Sequence, residues 1–236
     1  MVFESAARTD IGRRRKLNED ALLCRPDLGL WAVADGMGGH DCGEVASALV
    51  IERLAAALTR APLPDRILAA RLALSDTNQD LIQMAAQGDP PRTIGSTVVM
   101  LAADSKNYAC LWAGDSRAYR ARGGALQQLS RDHSLVQQLV DVGELDPTEA
   151  IHHPNANVIT RAVGAAPELA LELVQGELEA GDIYLLASDG LTRLVNDREL
   201  LAALGGADLP DVADELIALA LERGAPDNVT LVLIRT

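Results

Sequence analysis

The sequence predicts an α+β fold in which antiparallel strands are layered with helices. Four β-like runs follow one another between Ser96 and Leu129, and the breaks between them are as short as Gly123-Gly124. Strands joined by such short turns run antiparallel, because parallel neighbours need long crossover connections. Two helical stretches precede this region and two more follow it. Strands accompanied by helices in pairs are typical of a layered α+β domain.

Each element is predicted from its apolar periodicity and from the turn residues beside it. The predicted strands are 2–8, 21–25, 30–34, 97–102, 108–112, 118–122, 125–129, 171–176, 183–187 and 229–234. The predicted helices are 45–58, 63–87, 135–142, 148–150, 199–204 and 212–221. Segment 131–164 is polar and weakly periodic, so it is expected to lie over the body of the fold.

Composition restricts the class of protein. The 236 residues contain no repeat or linker, which predicts a single domain over 1–236, and 48% hydrophobic residues can build a substantial core. The net charge of −13 disfavours binding to nucleic acid and to anionic membranes. No apolar run approaches the ~20 residues of a membrane helix. Three widely spaced cysteines form no disulfide framework, so we expect a cytoplasmic protein without membrane insertion.

Four aspartates share one sequence context, the tip of an apolar strand beside a small or turn-forming residue: Asp35, Asp115, Asp189 and Asp227. The first three are predicted to end a strand and the fourth to begin one. In an antiparallel sheet the start of one strand lies beside the end of its neighbour, so these carboxylates could gather along one edge. Glu19 and Asp20, just before strand 21–25, could join them.

Four to six clustered carboxylates would repel one another, and would therefore raise each other's pKa values or recruit cations. Ligation by oxygen alone is typical of Mg²⁺ or Mn²⁺. Two such ions sharing an aspartate suit in-line attack of hydroxide on a phosphoester. The alternative is structural, because an Asp-Gly pair after a strand is also a common turn.

Seven motifs in order resemble the bacterial type 2C protein phosphatases, the metal-dependent protein phosphatase family, over residues 6–234. The motifs begin at Asp10-Ile-Gly12-Arg-Arg-Arg15-Lys-Leu-Asn18-Glu19-Asp20, Asp35-Gly36-Met37-Gly38-Gly39-His40 and Gly43-Glu44-Val-Ala-Ser47. They continue at Gly114-Asp115-Ser116-Arg117, Asp132-His133-Ser134-Leu135, Ser188-Asp189-Gly190 and Asp227-Asn228-Val229-Thr230. The resemblance implies a four-layer αββα sandwich of two antiparallel sheets flanked by paired helices. It also implies hydrolysis of phosphoserine and phosphothreonine in proteins by hydroxide held between two Mn²⁺ or Mg²⁺ ions.

The resemblance also implies a role for each matching residue. Asp35 is expected to bridge both metals, the Gly36 carbonyl to bind one of them, and Asp189 and Asp227 to complete the other shell. Glu19 and Asp20 are expected to act through metal-bound water. Asp115 matches a ligand of a weaker third metal near the mobile flap, which corresponds to segment 131–164. Arg15 matches the arginine that grips phosphate, a role that suits its forked guanidinium.

The general acid is left open by the sequence. Met37 follows the Asp-Gly pair, where eukaryotic members have histidine. His40 is one candidate for protonating the leaving oxygen, since imidazole titrates near neutral pH. The alternatives are a metal-bound water as the acid and a surface or hydrogen-bonding role for His40. A second departure is Gly95-Ser96-Thr97, where the family has Gly-Thr-Thr.

Other candidates have simpler explanations. The basic run Arg13-Arg14-Arg15-Lys16 lacks interleaved aromatics, which disfavours a nucleic-acid site. Ser188 lacks the Gly-x-Ser-x-Gly elbow of a nucleophile, and His133, His152 and His153 are expected to be solvated loop residues. A pseudophosphatase that only binds partners is the alternative function, but the metal aspartates are all present. A serine/threonine kinase is the partner that the family implies, and phosphoproteins are the expected substrates.

Overall fold

The computed structural model describes residues 3–38, 42–87, 93–150, 153–206 and 208–236. Its strands are β1 Glu4–Asp10, β2 Asp20–Arg25, β3 Leu30–Gly38, β4 Ile94–Ser96, β5 Val98–Ala103, β6 Asn107–Ala113, β7 Arg117–Arg122, β8 Ala125–Gln128, β9 Glu172–Glu177, β10 Ile183–Ala187 and β11 Val229–Arg235. Its helices are α1 Cys42–Ala57, α2 Leu63–Ala86, α3 Leu135–Asp141, α4 Pro147–Ala150, α5 Asp189–Thr192, α6 Asp197–Leu204 and α7 Leu209–Glu222.

The strands form two antiparallel sheets. Sheet I has the order β2-β3-β5-β6-β9, with β4 paired to β3, and sheet II has the order β1-β11-β10-β7-β8. Helices α1 and α2 cover the outer face of sheet I, while α6 and α7 cover the outer face of sheet II. The two inner faces pack against each other through a third apolar cluster. The predicted α+β class and four-layer αββα sandwich are therefore confirmed.

Alternation along the central strands explains why both faces of each sheet are buried. In β3, Leu30 and Ala32 belong to the cluster under α1 and α2, whereas Trp31 and Val33 belong to the cluster between the sheets. Successive side chains of a strand point to opposite faces, so an apolar run of this length fills two cores at once. Full burial of a side chain the size of Val33 or Leu30 stabilises the fold by about 1.5–3 kcal/mol.

Two short elements were not predicted. Strand β4 is only three residues long, and it pairs with Gly36–Gly38, so β3 continues past Asp35 where the sequence predicted its end. Helix α5 starts at Asp189, separated by one residue from the end of β10, where the sequence predicted only the tip of a strand. Neither element has the length over which apolar periodicity can be recognised.

The connection 114–116 differs from the expectation of consecutive hairpins. Strands β5 and β6 form one hairpin in sheet I, and β7 and β8 form another in sheet II. Strand β6 already pairs with β5 on one side and β9 on the other, so no free edge of β6 is left for β7. The chain therefore crosses from one sheet to the other at this connection, which carries Asp115.

The flap segment, 131–164, contains α3 and α4 and is tied to the body at both ends. Isolated bridges join Ser134 to Ile159 within the segment and Ser96 of β4 to Val163. Along its edge runs a cleft of about 840 Å³ whose opposite wall comes from α5 and the start of α6. In the described ranges, no helix is both long and apolar enough to cross a membrane.

Candidate metal centre

Five aspartates converge where the two sheets meet. Asp20 and Asp35 are register partners on β2 and β3. Asp35 also shares a side-chain hydrogen bond with Asp189, the first residue of α5. Asp115 and Asp227 lie close enough that their charges act on Asp35.

The convergence of these carboxyl groups is accompanied by shifts in their pKa values. Burial, followed by repulsion from Asp20, Asp189, Asp115 and Asp227, raises the pKa of Asp35 well above its usual range. Burial likewise raises the pKa of Asp20 and that of Asp115 to about 7, and it raises the pKa of Asp189. Protons or cations must therefore compensate this cluster at neutral pH.

The cluster is not arranged along one edge of one sheet, as the sequence suggested. Asp20 and Asp35 come from sheet I, whereas Asp189 follows β10 and Asp227 precedes β11 in sheet II. Asp115 lies on the connection between the sheets, and its side chain is buried. The carboxylates meet because the sheets are stacked, which the motifs alone could not indicate.

Hydroxyl groups fix the backbone around Asp35. The Asp35 N–H donates to Thr97 Oγ1 at 3.0 Å, and Ser96 Oγ donates to the Asp35 carbonyl at 3.1 Å. Thr97 Oγ1 is also 2.7 Å from Ser116 Oγ, next to Asp115. Ser96 and Thr97 therefore link the strand of Asp35 to the connection that carries Asp115. The sequence indicated these residues only as a departure from the Gly-Thr-Thr of the family.

Ser188 supports the carboxyl group of Asp20. Its Oγ donates to Asp20 Oδ2 at 2.8 Å and accepts the Thr230 N–H at 3.0 Å. The side chain is completely buried. These contacts occupy the hydroxyl as a structural bridge between the sheets, consistent with the absence of a nucleophile elbow.

Gly36 is required by the close approach of three chain segments. A Cβ at this position would lie 2.0 Å from the Gly43 carbonyl oxygen and 2.6 Å from that of Glu19. The Gly36 N–H donates to the same Glu19 oxygen at 3.0 Å. The glycine therefore allows α1 and the loop before β2 to pack directly against the strand of Asp35.

Arg15 lies beside the aspartate cluster. Its Nη2 donates to Asp227 Oδ2 at 2.7 Å, and its Nη1 is 3.9 Å from Glu19 Oε2. The hydrogen bond to Asp227 raises the pKa of the guanidinium, so it stays charged. Because 46% of this side chain is exposed, a phosphate can reach it.

Asn228 holds the loop that carries Arg15 and Glu19. Its Nδ2 donates to the carbonyls of Ile11 at 2.8 Å and Leu17 at 3.0 Å, and its Oδ1 accepts the Glu19 N–H at 2.9 Å. The motif that contains Asn228 was recognised in the sequence, but this role was not. Three hydrogen bonds from one buried amide make the loop part of the rigid body.

Substitution of Asn228 by Ala should destabilise the protein by about 2–4 kcal/mol, because buried loop groups lose their partners. It should also raise KM for a phosphopeptide, since Arg15 is no longer held. Urea unfolding and steady-state kinetics measure the two effects. Asn155→Ala in the flap segment is the control, and equal stability of the two variants would contradict the assigned role.

Comparison with known proteins identifies the family. The model of the protein phosphatase 2C family matches residues 12–222. The chain belongs to the protein phosphatase 2C family. The match spans β2 through α7 and so contains every converging aspartate except Asp227, which lies five positions beyond its end.

Relatives of this phosphatase 2C domain include bacterial proteins named as phosphatases. The serine/threonine protein phosphatase PstP of Mycobacterium tuberculosis is 39% identical over 233 residues, which are 99% of this chain and 45% of PstP. The chain thus spans less than half the length of that relative. Protein phosphatase PhpP of Streptococcus pneumoniae is 33% identical, with 98% of this chain and 97% of PhpP covered.

Solved structures agree with the fold of the phosphatase 2C domain. PppA, named a key regulatory component of the T6SS in Pseudomonas aeruginosa, superposes with a TM-score of 0.91 at 43% identity, covering 100% of this chain and 98% of PppA. The catalytic domain of PstP in complex with two manganese ions gives 0.90 at 38% identity, covering 99% and 98%. A structurally similar phosphatase domain therefore binds two manganese ions.

The donor set of this phosphatase 2C domain fits hard divalent cations. The converging groups are carboxylates, the ligands that Mg²⁺ and Mn²⁺ prefer, and Asp115 Oδ1 is buried without a hydrogen-bond partner. As the side chains stand, no three or more Asp, Glu, Cys or His residues in the described part form a metal-binding group. Several of these carboxylates contact arginines or each other in the present arrangement.

The predictions for His40, His133 and His152 have different outcomes. His40 and His152 lie outside the described residues, so the candidate general acid stays a prediction. His133 is not a solvated loop residue, because only 6% of it is exposed and its ring stacks on Trp112. The ring Nδ1 of His133 accepts the Gly114 backbone N–H at 3.1 Å, and the backbone N–H of His133 donates to the Gly114 carbonyl at 3.0 Å. His133 therefore fixes the connection before Asp115.

Arg193 is a site residue that the sequence analysis missed. Its Nε lies 2.9 Å from Asp189 Oδ2, and its Nη2 lies 3.4 Å from Asp115 Oδ2. The spacing of four positions between Asp189 and Arg193 is the signal that could have revealed it, since such pairs share a helix face.

Proposed function

We propose that this chain hydrolyses phosphoserine and phosphothreonine in proteins, as one catalytic domain over 1–236 with the flap segment over 131–164. The observation that carries the proposal is the convergence of five aspartates beside Arg15 in a phosphatase 2C fold. Two Mn²⁺ or Mg²⁺ ions, with a weaker third, are the proposed cofactors. The manganese in the related PstP domain supports this assignment.

The proposed ligands follow from the family motifs. Asp35 would contact both ions, the Gly36 carbonyl would contact one, and Asp189 and Asp227 would contact the other. Glu19 and Asp20 would act through water, and Asp115 would serve the third ion. When bound, the cations lower the pKa of water that attacks phosphorus and neutralise the charge that develops on the phosphate.

The chain's own groups orient the substrate. The guanidinium of Arg15 can bind two phosphate oxygens at once, and Asp227 holds it beside the aspartate cluster. The 840 Å³ cleft begins at Asp115 and Asp189 and runs between the flap segment and α6. That volume is large enough for residues next to a phosphorylated side chain, which supports a polypeptide substrate.

The direct test is turnover by the purified protein with Mn²⁺. Both p-nitrophenyl phosphate and a phosphothreonine peptide should be hydrolysed, and excess chelator should stop both reactions. Restoring Mn²⁺ should restore the rates. If neither substrate is hydrolysed by protein that binds Mn²⁺ and is folded, the enzymatic proposal is wrong.

Substitution of Arg15 by Ala should raise KM for the phosphopeptide about 10–100-fold, because a charge-assisted contact with phosphate is lost. Arg15→Lys should recover part of this loss, since it restores the charge without the forked geometry. Arg14→Ala, on the same loop and exposed like Arg15, is the control. Equal KM values for the Ala variants at both positions would remove Arg15 from the phosphate site.

The proposed partner is a serine/threonine kinase whose products this enzyme dephosphorylates. The regulatory role in the name of PppA supports a place in signalling. Comparing the phosphoproteomes of cells that carry the wild-type protein and cells that carry the Asp35→Asn variant would identify the substrates. Phosphosites of one kinase should accumulate in the absence of activity, whereas an unchanged phosphoproteome would contradict the partnership.

A further inference from the structure

Arg193 connects three parts of the molecule that the family motifs do not link. It follows α5 directly, and its side chain is 30% exposed. Its guanidinium contacts Asp189 Oδ2 at 2.9 Å and Asp115 Oδ2 at 3.4 Å. The same Nη2 donates to the carbonyl of Ala156 in the flap segment at 3.1 Å. One cation therefore joins two candidate metal ligands to the flap.

The charge of Arg193 opposes the repulsion in the cluster. It lowers the pKa of both Asp115 and Asp189, against the larger effect of burial, which raises them. A divalent ion that binds Asp115 and Asp189 meets this positive charge at close range, where Coulomb repulsion is strong in a partly buried site. Such an ion and the guanidinium compete for the same two carboxylate groups.

We propose that Arg193 is a positioning residue that acts as a built-in counter-cation for Asp115 and Asp189, so that binding of the weaker third ion releases the flap segment from Arg193. The proposal rests on the third-ion role proposed above for Asp115, and it adds that Asp189 serves this ion as well as the tighter one. When the ion takes the carboxylates, the guanidinium moves away and its bond to the Ala156 carbonyl is lost. Binding of the third ion and release of the flap segment are then thermodynamically coupled, so each favours the other.

Among the described residues, Arg193 contacts the middle of the flap segment, whereas other contacts hold its two ends. His133 holds the beginning of the segment through two hydrogen bonds to Gly114, and Val163 holds its end on β4. Arg193 contacts the middle, at Ala156, and lines the cleft together with Asp115 and Asp189. Release at Ala156 therefore changes the width of the cleft while both ends stay attached.

The experiment measures cation binding and flap protection, and neither measurement depends on turnover. Isothermal titration gives the affinity of the weakest Mn²⁺ site. Hydrogen exchange follows the amides of Ala156 and Val158, which donate to His153 and Asn155 carbonyls. Arg193→Gln should bind the weakest Mn²⁺ about tenfold more tightly. Its flap amides should exchange, without Mn²⁺, as fast as those of the wild type at saturating Mn²⁺.

Two further variants separate charge from hydrogen bonding. Arg193→Lys keeps the charge, so its weakest Mn²⁺ affinity should stay within about threefold of the wild type, while its flap amides exchange faster. Arg198→Gln removes another arginine of the same cleft and should change neither measurement. Unchanged or weaker Mn²⁺ binding by Arg193→Gln, or Lys and Gln variants with equal affinity, would overturn the proposal. If the wild type binds Mn²⁺ but hydrolyses nothing, only the proposed function fails.

Discussion

Replacing Asp35 by Asn should lower turnover at least about 10³-fold and, at the same time, stabilise the metal-free protein. The loss of activity follows from the central position of Asp35, whose carboxyl group interacts electrostatically with the four other aspartates of the cluster. The gain in stability follows because the amide has the same shape but adds no repulsion to Asp20, Asp189, Asp115 and Asp227. Removing a buried charge of this kind is worth about 1–3 kcal/mol.

Two measurements on one variant check this expectation. Steady-state kinetics with Mn²⁺ gives the change in turnover, and urea unfolding in excess chelator at pH 8 gives the change in free energy of unfolding. Asp76→Asn, on the exposed face of α2, is the matched control and should change neither. An inactive variant that is also less stable without metal would show that Asp35 serves the fold and that the electrostatic account is wrong.

Removal of metal should make stability depend on pH in a direction unusual for an acidic protein. Burial raises the pKa of Asp20 and Asp115 to about 7 in the folded state, against about 3.9 in an unfolded chain. The folded protein therefore binds more protons, and this contribution is fully present at low pH and is lost as the pH rises through about 7. From pH 6 to pH 8 the metal-free protein should lose about 1–3 kcal/mol.

Divalent cations should reverse this trend, because they compete with protons for the same oxygens and bind better as the pH rises. Thermal unfolding at several pH values, with chelator and with excess Mn²⁺, measures both slopes. Asp20→Asn combined with Asp115→Asn should flatten the slope seen with chelator. A metal-free protein that becomes more stable from pH 6 to pH 8 would contradict the raised pKa values.

The sequence predicted the elements well where apolar periodicity was long. Strands β5, β6, β10 and β11 and helices α1 and α2 appear within a few residues of their predicted bounds. Periodicity is a local property, so it could not reveal β4, which is three residues long and exists through its pairing with Gly36–Gly38. For the same reason it could not tell that the connection after β6 crosses to the other sheet.

The motifs identified the residues of the candidate site. They did not indicate the contacts that hold those residues in place. Arg15 and the converging aspartates were named from the sequence. Asn228, His133 and Arg193 were not given their roles, because each acts on residues brought close only by the fold. Asn228 reaches carbonyls more than 200 positions away in the chain, and no spacing rule predicts such a contact.

Both sheets contribute carboxylates to the cluster, and this has a consequence for the order of folding. Asp35 lies on a strand of sheet I and Asp189 follows a strand of sheet II, so neither half of the sandwich contains the complete set of proposed ligands. Cations that bind these groups cross-link the two halves, and they can do so only after the inner faces have closed on each other. Uptake of metal during refolding would therefore mark the last tertiary event, later than the pairing of strands within either sheet.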